Sequence, residues 1–125
     1  MAAKILVVED EQELNEAYEL ILKSEGHKVV VAHDGEEALS KLKKFEPDLI
    51  LLDLRMPKIN GIEFLEQYQL PAHHPNVRVV VFSNLDAENE INKAYSLGAD
   101  RYILKAWASP RELIKLVDDT LKKSK

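Results

Sequence analysis

The stretch PDLILLDLRMP, from Pro47 to Pro57, decides the fold. Its apolar run from Leu49 to Leu52 is uninterrupted, as in a parallel strand that is buried on both faces. The run then stops at Asp53. Open α/β sheets bind their ligands at the carboxyl ends of strands, but aspartate is also a common turn residue. Taken alone, the stretch fits a ligand-binding carboxylate and a simple turn about equally well.

The composition favours one domain over residues 1–125. A chain of 125 residues can bury a core without a disulfide or a structural metal, and the absence of cysteine excludes disulfides and thiolate metal sites. No apolar run reaches the length of a membrane span, and no signal peptide follows Met1. With 22 acidic and 17 basic residues, the net charge is -5. We therefore expect a cytoplasmic protein that binds neither nucleic acid directly nor membranes.

Hydrophobic periodicity predicts five strands, each followed by a helix. The predicted strands cover residues 4–8, 28–32, 49–52, 77–82 and 101–104, and the predicted helices cover 13–25, 35–45, 61–68, 87–97 and 110–121. The stretch 70–76 contains two prolines and predicts a loop. Strict alternation predicts an α/β fold with right-handed crossovers. The expected architecture is a doubly wound, five-stranded parallel sheet of order 2-1-3-4-5, which is flavodoxin-like.

Local signals support two of the helix starts and one helix face. Asp34 followed by Glu37 predicts a capping box, and Ser109 before Pro110 predicts a second helix start. On the first helix, the apolar residues expected to face the core include Leu14, Ala17 and Tyr18.

Polar residues end four of the five predicted strands. They are Glu9 and Asp10, Asp53, Ser83, and Lys105. In a sheet of order 2-1-3-4-5, strands 1, 3, 4 and 5 are consecutive neighbours, so these five residues converge on one edge. Packing does not explain four polar endpoints on buried strands, and this favours the ligand-binding interpretation of Asp53.

The cluster is suited to phosphoryl chemistry. Three carboxylates held together repel one another and need positive charge nearby. Lys105 offsets one of the three negative charges, and a cation is needed for the rest. An all-oxygen set of ligands selects Mg²⁺ or Mn²⁺. With Lys105 and the metal neutralising a phosphoryl group and Ser83 hydrogen-bonded to it, Asp53 could attack in line as a nucleophile.

These residues resemble the receiver domain of two-component response regulators, from about Lys4 to Leu121. The matching motifs are VVEDE at 7–11, LLDLRMP at 51–57 followed by Gly61, the hydroxyl of Ser83, and GADRYILKA at 98–106. The joint spacing of these motifs is highly specific.

The resemblance implies that Asp53 accepts a phosphoryl group from a sensor histidine kinase or a phosphotransfer protein. It also implies that Asp10, Asp53 and the backbone carbonyl of Arg55 bind Mg²⁺ directly, with Glu9 acting through water. Tyr102 occupies the family's aromatic switch position. The surface of the fourth predicted helix, the fifth strand and the last helix would then change, and the first helix would dock the kinase. Such a module catalyses only its own phosphotransfer and dephosphorylation.

Three positions bear on how the site would work. Ala106 stands where the family usually has a proline joined by a cis bond, and the isomer of the Lys105–Ala106 bond is left open. Asn84 replaces a small residue, and we hypothesise that it slows phosphotransfer or hydrolysis. Arg55 either adds positive charge over the pocket, prolonging the phosphorylated state, or extends into solvent.

Alternatives from other functional classes are weaker. A haloacid-dehalogenase-type phosphatase needs a second aspartate two residues after the nucleophile, where this chain has Arg55. A flavodoxin-like flavin site is disfavoured because Glu9, Asp10 and Glu11 would repel a phosphate. A phosphorylation-independent, receiver-like binding module stays open because of Asn84 and Ala106. The sequence also does not decide whether the chain is a stand-alone regulator that acts on a downstream partner or a receiver separated from an output domain.

Overall fold

Five parallel strands form a single sheet in the computed structural model, which describes residues 2–83, 88–105 and 109–122. The strand order is β2-β1-β3-β4-β5, so the predicted fold class is confirmed. The strands are β1 (Lys4–Val8), β2 (Lys28–Ala32), β3 (Leu49–Asp53), β4 (Arg78–Ser83) and β5 (Arg101–Leu104).

Helices cover both faces of this sheet. Alternate residues of β3 belong to two different apolar cores, with Ile50 and Leu52 in one and Leu49 and Leu51 in the other. The continuous apolar run of β3 is thus explained by burial on both sides. The first core is covered by α2 (Gly35–Lys41), α3 (Gly61–Tyr68), α4 (Leu70–His73) and α5 (Glu88–Ser96), and the second by α1 (Gln12–Ser24) and α6 (Pro110–Lys122).

Two predictions about helices α2 and α4 were wrong. Helix α2 ends at Lys41, although the sequence predicted it to continue to residue 45. The segment predicted as a loop contains α4, which begins after Gln69 in a left-handed conformation and has a proline in its first turn. Proline is tolerated there because the first amide groups of a helix have no partner within it.

Two local predictions also need correction. Asp34 caps α2 by accepting a hydrogen bond from the Glu37 amide at 2.8 Å, but the Glu37 carboxylate accepts from the His33 amide instead of completing the box. On α1, Leu14 and Tyr18 face the core, whereas Ala17 is exposed. None of the described helices is long and apolar enough to cross a membrane.

Candidate functional site

The sheet brings the predicted acidic residues and the lysine together at one edge. Glu9 and Asp10 follow β1, Asp53 ends the central strand β3, and Lys105 follows β5. Each of the three acidic residues offers a carboxylate oxygen, and these oxygens lie within 4.8 Å of one another. Ser83 ends β4, where its backbone is in register with Leu104, and the role of its hydroxyl stays a prediction.

Lys105 links the two buried carboxylates. Its Nζ atom lies 2.9 Å from Asp53 Oδ2 and 3.1 Å from Glu9 Oε1. Glu11 is a third, more distant acidic neighbour, at 3.5 Å. Since only 18% of the Lys105 side chain is exposed, its charge acts mainly on these neighbours rather than on solvent.

Backbone amides also donate hydrogen bonds to the same two carboxylates. The Glu11 amide donates to Glu9 Oε2 at 3.1 Å, and the Arg55 amide donates to Asp53 Oδ1 at 3.1 Å. Glu9 is fully buried and Asp53 is 2% exposed, whereas Asp10 is exposed. The site therefore has two fixed, enclosed carboxylates and one that reaches solvent.

Burial dominates the electrostatics of the site. It raises the pKa of Glu9 to about 8, and the charge of Asp53 adds to the effect. Burial also raises the pKa of Asp53, although Lys105 opposes the shift. For Lys105, burial alone would lower the pKa, but the hydrogen bond to Asp53 and the charges of Asp53 and Glu9 raise it above its ordinary value. The cluster has more negative charge than one lysine compensates.

The donor set fits a hard divalent cation. The cluster offers oxygen ligands only, and Glu9 Oε1 is a buried atom with no well-aligned hydrogen-bond partner among the described residues, despite the nearby Lys105 ammonium. A buried carboxylate oxygen without a hydrogen-bond donor is suited to a cation or a cation-bound water. Glu9, Asp10 and Asp53 could together hold a metal ion, while the Arg55 carbonyl stays a predicted ligand.

Gly61 fixes the path of the segment after Asp53. Its amide donates to the Leu54 carbonyl at 2.9 Å. A Cβ atom at this position would lie 2.6 Å from the Leu54 Cα atom and 2.7 Å from the Asp53 carbonyl oxygen. Only glycine allows the start of α3 to approach this closely, so Gly61 helps to set the backbone that carries the phosphoacceptor candidate.

The Arg55 side chain contacts α5, an arrangement that the sequence did not indicate. Its Nη2 atom lies 2.6 Å from Glu90 Oε1, and its Nε atom lies 3.2 Å from both carboxylate oxygens of Glu90. The alternative in which Arg55 simply extends into solvent is therefore wrong for this structure. The ion pair connects the segment after Asp53 to helix α5.

Of the remaining predicted positions, the structure describes Tyr102 but not Asn84 or Ala106. Tyr102 is 46% exposed, and its ring meets that of Tyr95 edge to face at 6.3 Å. Tyr102 of β5 thus lies at the surface beside Tyr95 of α5. Asn84 and Ala106 lie outside the described residues, and so does the question of the Lys105–Ala106 bond.

Asn15 is a buried residue near the site that sequence reasoning missed. It is 1% exposed, and its side-chain amide donates to the backbone carbonyls of Glu9 and Ala32. A signal was present, because positions 15, 18 and 22 share one face of a helix and the other two are the buried Tyr18 and Leu22. A polar residue on that stripe indicates a buried hydrogen-bonding role.

A protein family with this fold and this acidic site matches the sequence. The family model described as the response regulator receiver domain matches residues 5–118. The chain belongs to this family. As a receiver domain it is a module of two-component systems rather than a conventional enzyme, and receiver domains interact with histidine kinases or phosphotransfer proteins.

Similar proteins agree with the family. The alkaline phosphatase synthesis transcriptional regulatory protein PhoP of Bacillus subtilis (strain 168) is 38% identical over 99% of this receiver domain, which spans 50% of that relative's length. The structure of NtrX from Brucella abortus is 30% identical over 98% of the chain, with a TM-score of 0.88, and the match covers 27% of NtrX. The chemotaxis protein CheY4 of Vibrio cholerae is 25% identical over 96% of the chain and 99% of its own length, with a TM-score of 0.87.

Proposed function

We propose that this receiver domain is a phosphorylation-controlled signalling module in which Asp53 accepts a phosphoryl group with the help of Mg²⁺, with Mn²⁺ as a substitute. The observation that carries the proposal is the position of Asp53. It is almost fully buried at the end of the central strand, 2.9 Å from Lys105 and within the oxygen cluster formed with Glu9 and Asp10. An aspartate that only formed a salt bridge on the protein surface would need none of these features.

The chemistry is an in-line displacement at phosphorus. A carboxylate oxygen of Asp53 forms a new P–O bond while the P–N bond of a phosphohistidine breaks and its electron pair stays on the imidazole nitrogen. Asp53 is oriented for this by the Arg55 amide and the Lys105 ammonium. The metal, when bound, supplies charge neutralisation for the phosphoryl oxygens. The domain would catalyse its own phosphorylation and dephosphorylation without turning over a separate substrate.

Phosphorylation would change the surface formed by α5, β5 and α6. It replaces a carboxylate by a group with more negative charge and three acceptor oxygens. Lys105 and the Ser83 hydroxyl would move toward that group, and Tyr102, now exposed beside Tyr95, would rotate inward. Phosphorylation then shifts a pre-existing equilibrium between two conformations of this surface, because the phosphoryl group stabilises one of them more than the other.

We propose a histidine kinase or a phosphotransfer protein as the donor, with α1 as its docking helix. Ala17 on this helix is exposed, and Leu20 is 71% exposed, so the outward face of α1 offers apolar contact area. The recipient of the signal would be a separate protein partner or an output domain. The proposed setting is the cytoplasm, where ATP supplies the phosphoryl groups of such kinases.

Intact-mass spectrometry tests the proposal. The protein would be incubated with acetyl phosphate with and without Mg²⁺, beside the Asp53→Asn variant. We expect a single phosphoryl adduct on the wild-type protein that disappears on chelation of the metal and is absent from the variant. If no adduct forms and beryllofluoride also fails to bind, the phosphorylation-independent binding module becomes the better interpretation, with Asn84 and Ala106 as the residues to examine.

A further inference from the structure

Asn15 is a buried polar side chain that uses both of its amide hydrogens beside the candidate metal site. Its Nδ2 atom donates to the Glu9 carbonyl at 3.0 Å and to the Ala32 carbonyl at 3.0 Å. A side-chain amide has two such hydrogens, so its donor capacity is fully used. Asn15 thereby joins the first turn of α1 to the carboxyl ends of β1 and β2.

These bonds fix the peptide that leads into Asp10. The Glu9 amide donates to the Ala32 carbonyl at 3.1 Å, so Glu9 is held through its N–H group as well as through its C=O group. The Glu9 carbonyl and the Asp10 nitrogen belong to the same planar peptide unit. The Asn15 contact therefore sets the direction in which the chain enters Asp10.

Asp10 depends on this backbone support more than its two partners do. Glu9 and Asp53 each have Lys105 and a backbone amide to orient their carboxylates. The Asp10 side chain is exposed and has no hydrogen bond or ion pair within the described part of the chain. Its carboxylate nevertheless belongs to the oxygen cluster, so its place there depends on where the backbone positions the Asp10 Cα atom.

We infer that Asn15 is a positioning residue for Mg²⁺ binding, acting through the Glu9–Asp10 peptide. The inference rests on the proposed function, because it assumes that Asp10 is a metal ligand. Removing a group that hydrogen-bonds to a metal ligand without touching the metal commonly weakens metal binding by about 10- to 100-fold. Asn15 is such a group, although it orients the backbone of a ligand rather than the carboxylate itself.

The test compares the Mg²⁺ affinity of the wild-type protein with that of Asn15→Leu. Leucine has a similar volume and no donor, so the Glu9 and Ala32 carbonyls lose a partner while the helix stays packed. Isothermal titration calorimetry, at a temperature where both proteins are folded, should show about 10-fold or weaker binding for the variant. Asn15→Ser, whose hydroxyl can donate one bond, should lie between the two, and it replaces Asn15→Leu as the test variant if that protein does not fold.

A matched control separates positioning from general loosening. Leu22 is fully buried on the same helix, two turns further from the site, so Leu22→Ala should lower the melting temperature without changing the Mg²⁺ affinity. A second readout is the rate of phosphorylation by acetyl phosphate as a function of Mg²⁺ concentration. For Asn15→Leu the half-saturating concentration should rise, while the rate at saturating Mg²⁺ stays near that of the wild-type protein.

The outcomes distinguish the inference from the proposed function. Equal Mg²⁺ affinities for the wild-type protein and Asn15→Leu would overturn the positioning role and leave the metal site intact. An equal loss of affinity in Leu22→Ala would also overturn it, because any loosening of α1 would then suffice. A wild-type protein that binds no Mg²⁺ would overturn both the metal site and the role of Asn15.

Discussion

Glu9 and Asp53 are two carboxylates enclosed in the same small space, with one ammonium group between them. Burial disfavours the charged form of each, and their mutual repulsion adds to this cost. Lys105 compensates part of the charge through contacts of 2.9 Å and 3.1 Å. Without a metal, the two carboxylates repel each other, and a bound divalent cation or protonation of one carboxylate would reduce this repulsion.

Stability without metal should fall as the pH rises. The pKa of Glu9 is raised from 4.5 in the unfolded chain to about 8 in the folded protein, so the folded state binds more protons in this window. Its contribution to stability is fully present below pH 4.5 and is lost as the pH rises through about 8. We expect the melting temperature in the presence of a chelator to decrease across this range.

Glu9→Gln is the control for that pH dependence. Glutamine cannot ionise, so the fall in melting temperature between pH 4.5 and 8 should become shallower. Added Mg²⁺ should raise the melting temperature of the wild-type protein most at the upper end of the range, where Glu9 is deprotonated. Identical pH profiles for the wild-type protein and Glu9→Gln would contradict the assignment of the shift to Glu9.

Removal of Lys105 should destabilise the protein at neutral pH. Lys105→Met leaves two buried carboxylates without their cation, and breaking a buried pair typically costs about 3 kcal/mol. Chemical denaturation in the presence of a chelator measures this loss, and Mg²⁺ should recover part of it.

Lys115→Met provides the comparison. Lys115 pairs with Asp119 on the surface of α6, where 71% of the lysine side chain is exposed, and such pairs contribute less than about 1 kcal/mol. If the free energy of unfolding changes equally in the Lys105→Met and Lys115→Met variants, Lys105 is not compensating buried charge.

At the scale of elements, the Arg55–Glu90 ion pair joins the segment after β3 to helix α5. The backbone amide of Arg55 contacts Asp53 while its guanidinium contacts Glu90. One residue thus touches both the phosphoacceptor candidate and a helix of the proposed switch surface. Phosphorylation of Asp53 would compete with Glu90 for this guanidinium.

Opposite effects on the lifetime of the phosphorylated state are expected for the two partners. Glu90→Gln weakens the hold on Arg55, leaves its charge available to the phosphoryl group and should lengthen the half-life. Arg55→Ala removes that charge and should shorten it, and the double variant should resemble Arg55→Ala. The loss of the phosphoryl adduct with time, followed by intact-mass spectrometry, measures each half-life.

Glu88→Gln is the matched control for Glu90→Gln. Both residues lie in α5, but Glu88 is exposed and its substitution should leave the half-life unchanged. A change of the same sign in Glu90→Gln and Arg55→Ala would contradict the competition between Glu90 and the phosphoryl group.

Strands were easier to predict from the sequence than helix ends. An uninterrupted apolar run such as Leu49–Leu52 has few explanations other than a buried parallel strand, and the predicted bounds of β1, β2 and β5 agree with the structure. Helix α4 was missed because Pro71 was interpreted as a loop residue, although proline is also compatible with the first turn of a helix. Helix α2 stops before Leu42 and Phe45 even though both pack on the core, so apolar spacing alone did not mark its end.

At the scale of the whole molecule, the position of the site follows from topology. Once five alternating strands and helices imply the order 2-1-3-4-5, residues that end neighbouring strands must meet. This is why Glu9, Asp10, Asp53 and Lys105 could be grouped from the sequence. The Arg55–Glu90 contact could not, because it depends on where a loop side chain and a helix lie in space, across 35 residues of chain.

Phosphorylation should change hydrogen exchange on one side of the molecule. With Mg²⁺ and acetyl phosphate, we expect altered exchange in α5, β5 and the start of α6, because these elements form the proposed switch surface and Lys105, which follows β5, contacts Asp53. Helix α2 and strand β2, at the opposite end of the sheet, should exchange as before. Hydrogen exchange followed by mass spectrometry measures this, with Asp53→Asn treated identically as the control, and a uniform change throughout the chain would contradict the proposed switch surface.

The most direct measurement is the position of the phosphoryl group itself. The protein would be phosphorylated with acetyl phosphate and Mg²⁺ and reduced at once with borohydride, which converts an aspartyl phosphate into homoserine, and its peptides would be sequenced by mass spectrometry. We predict homoserine at position 53 and at no other aspartate, and none when Mg²⁺ is chelated. Homoserine at Asp10 or elsewhere, or the same yield at position 53 without a divalent metal, would contradict the proposal that Glu9, Asp10, Asp53 and Lys105 form one metal-dependent phosphoacceptor site.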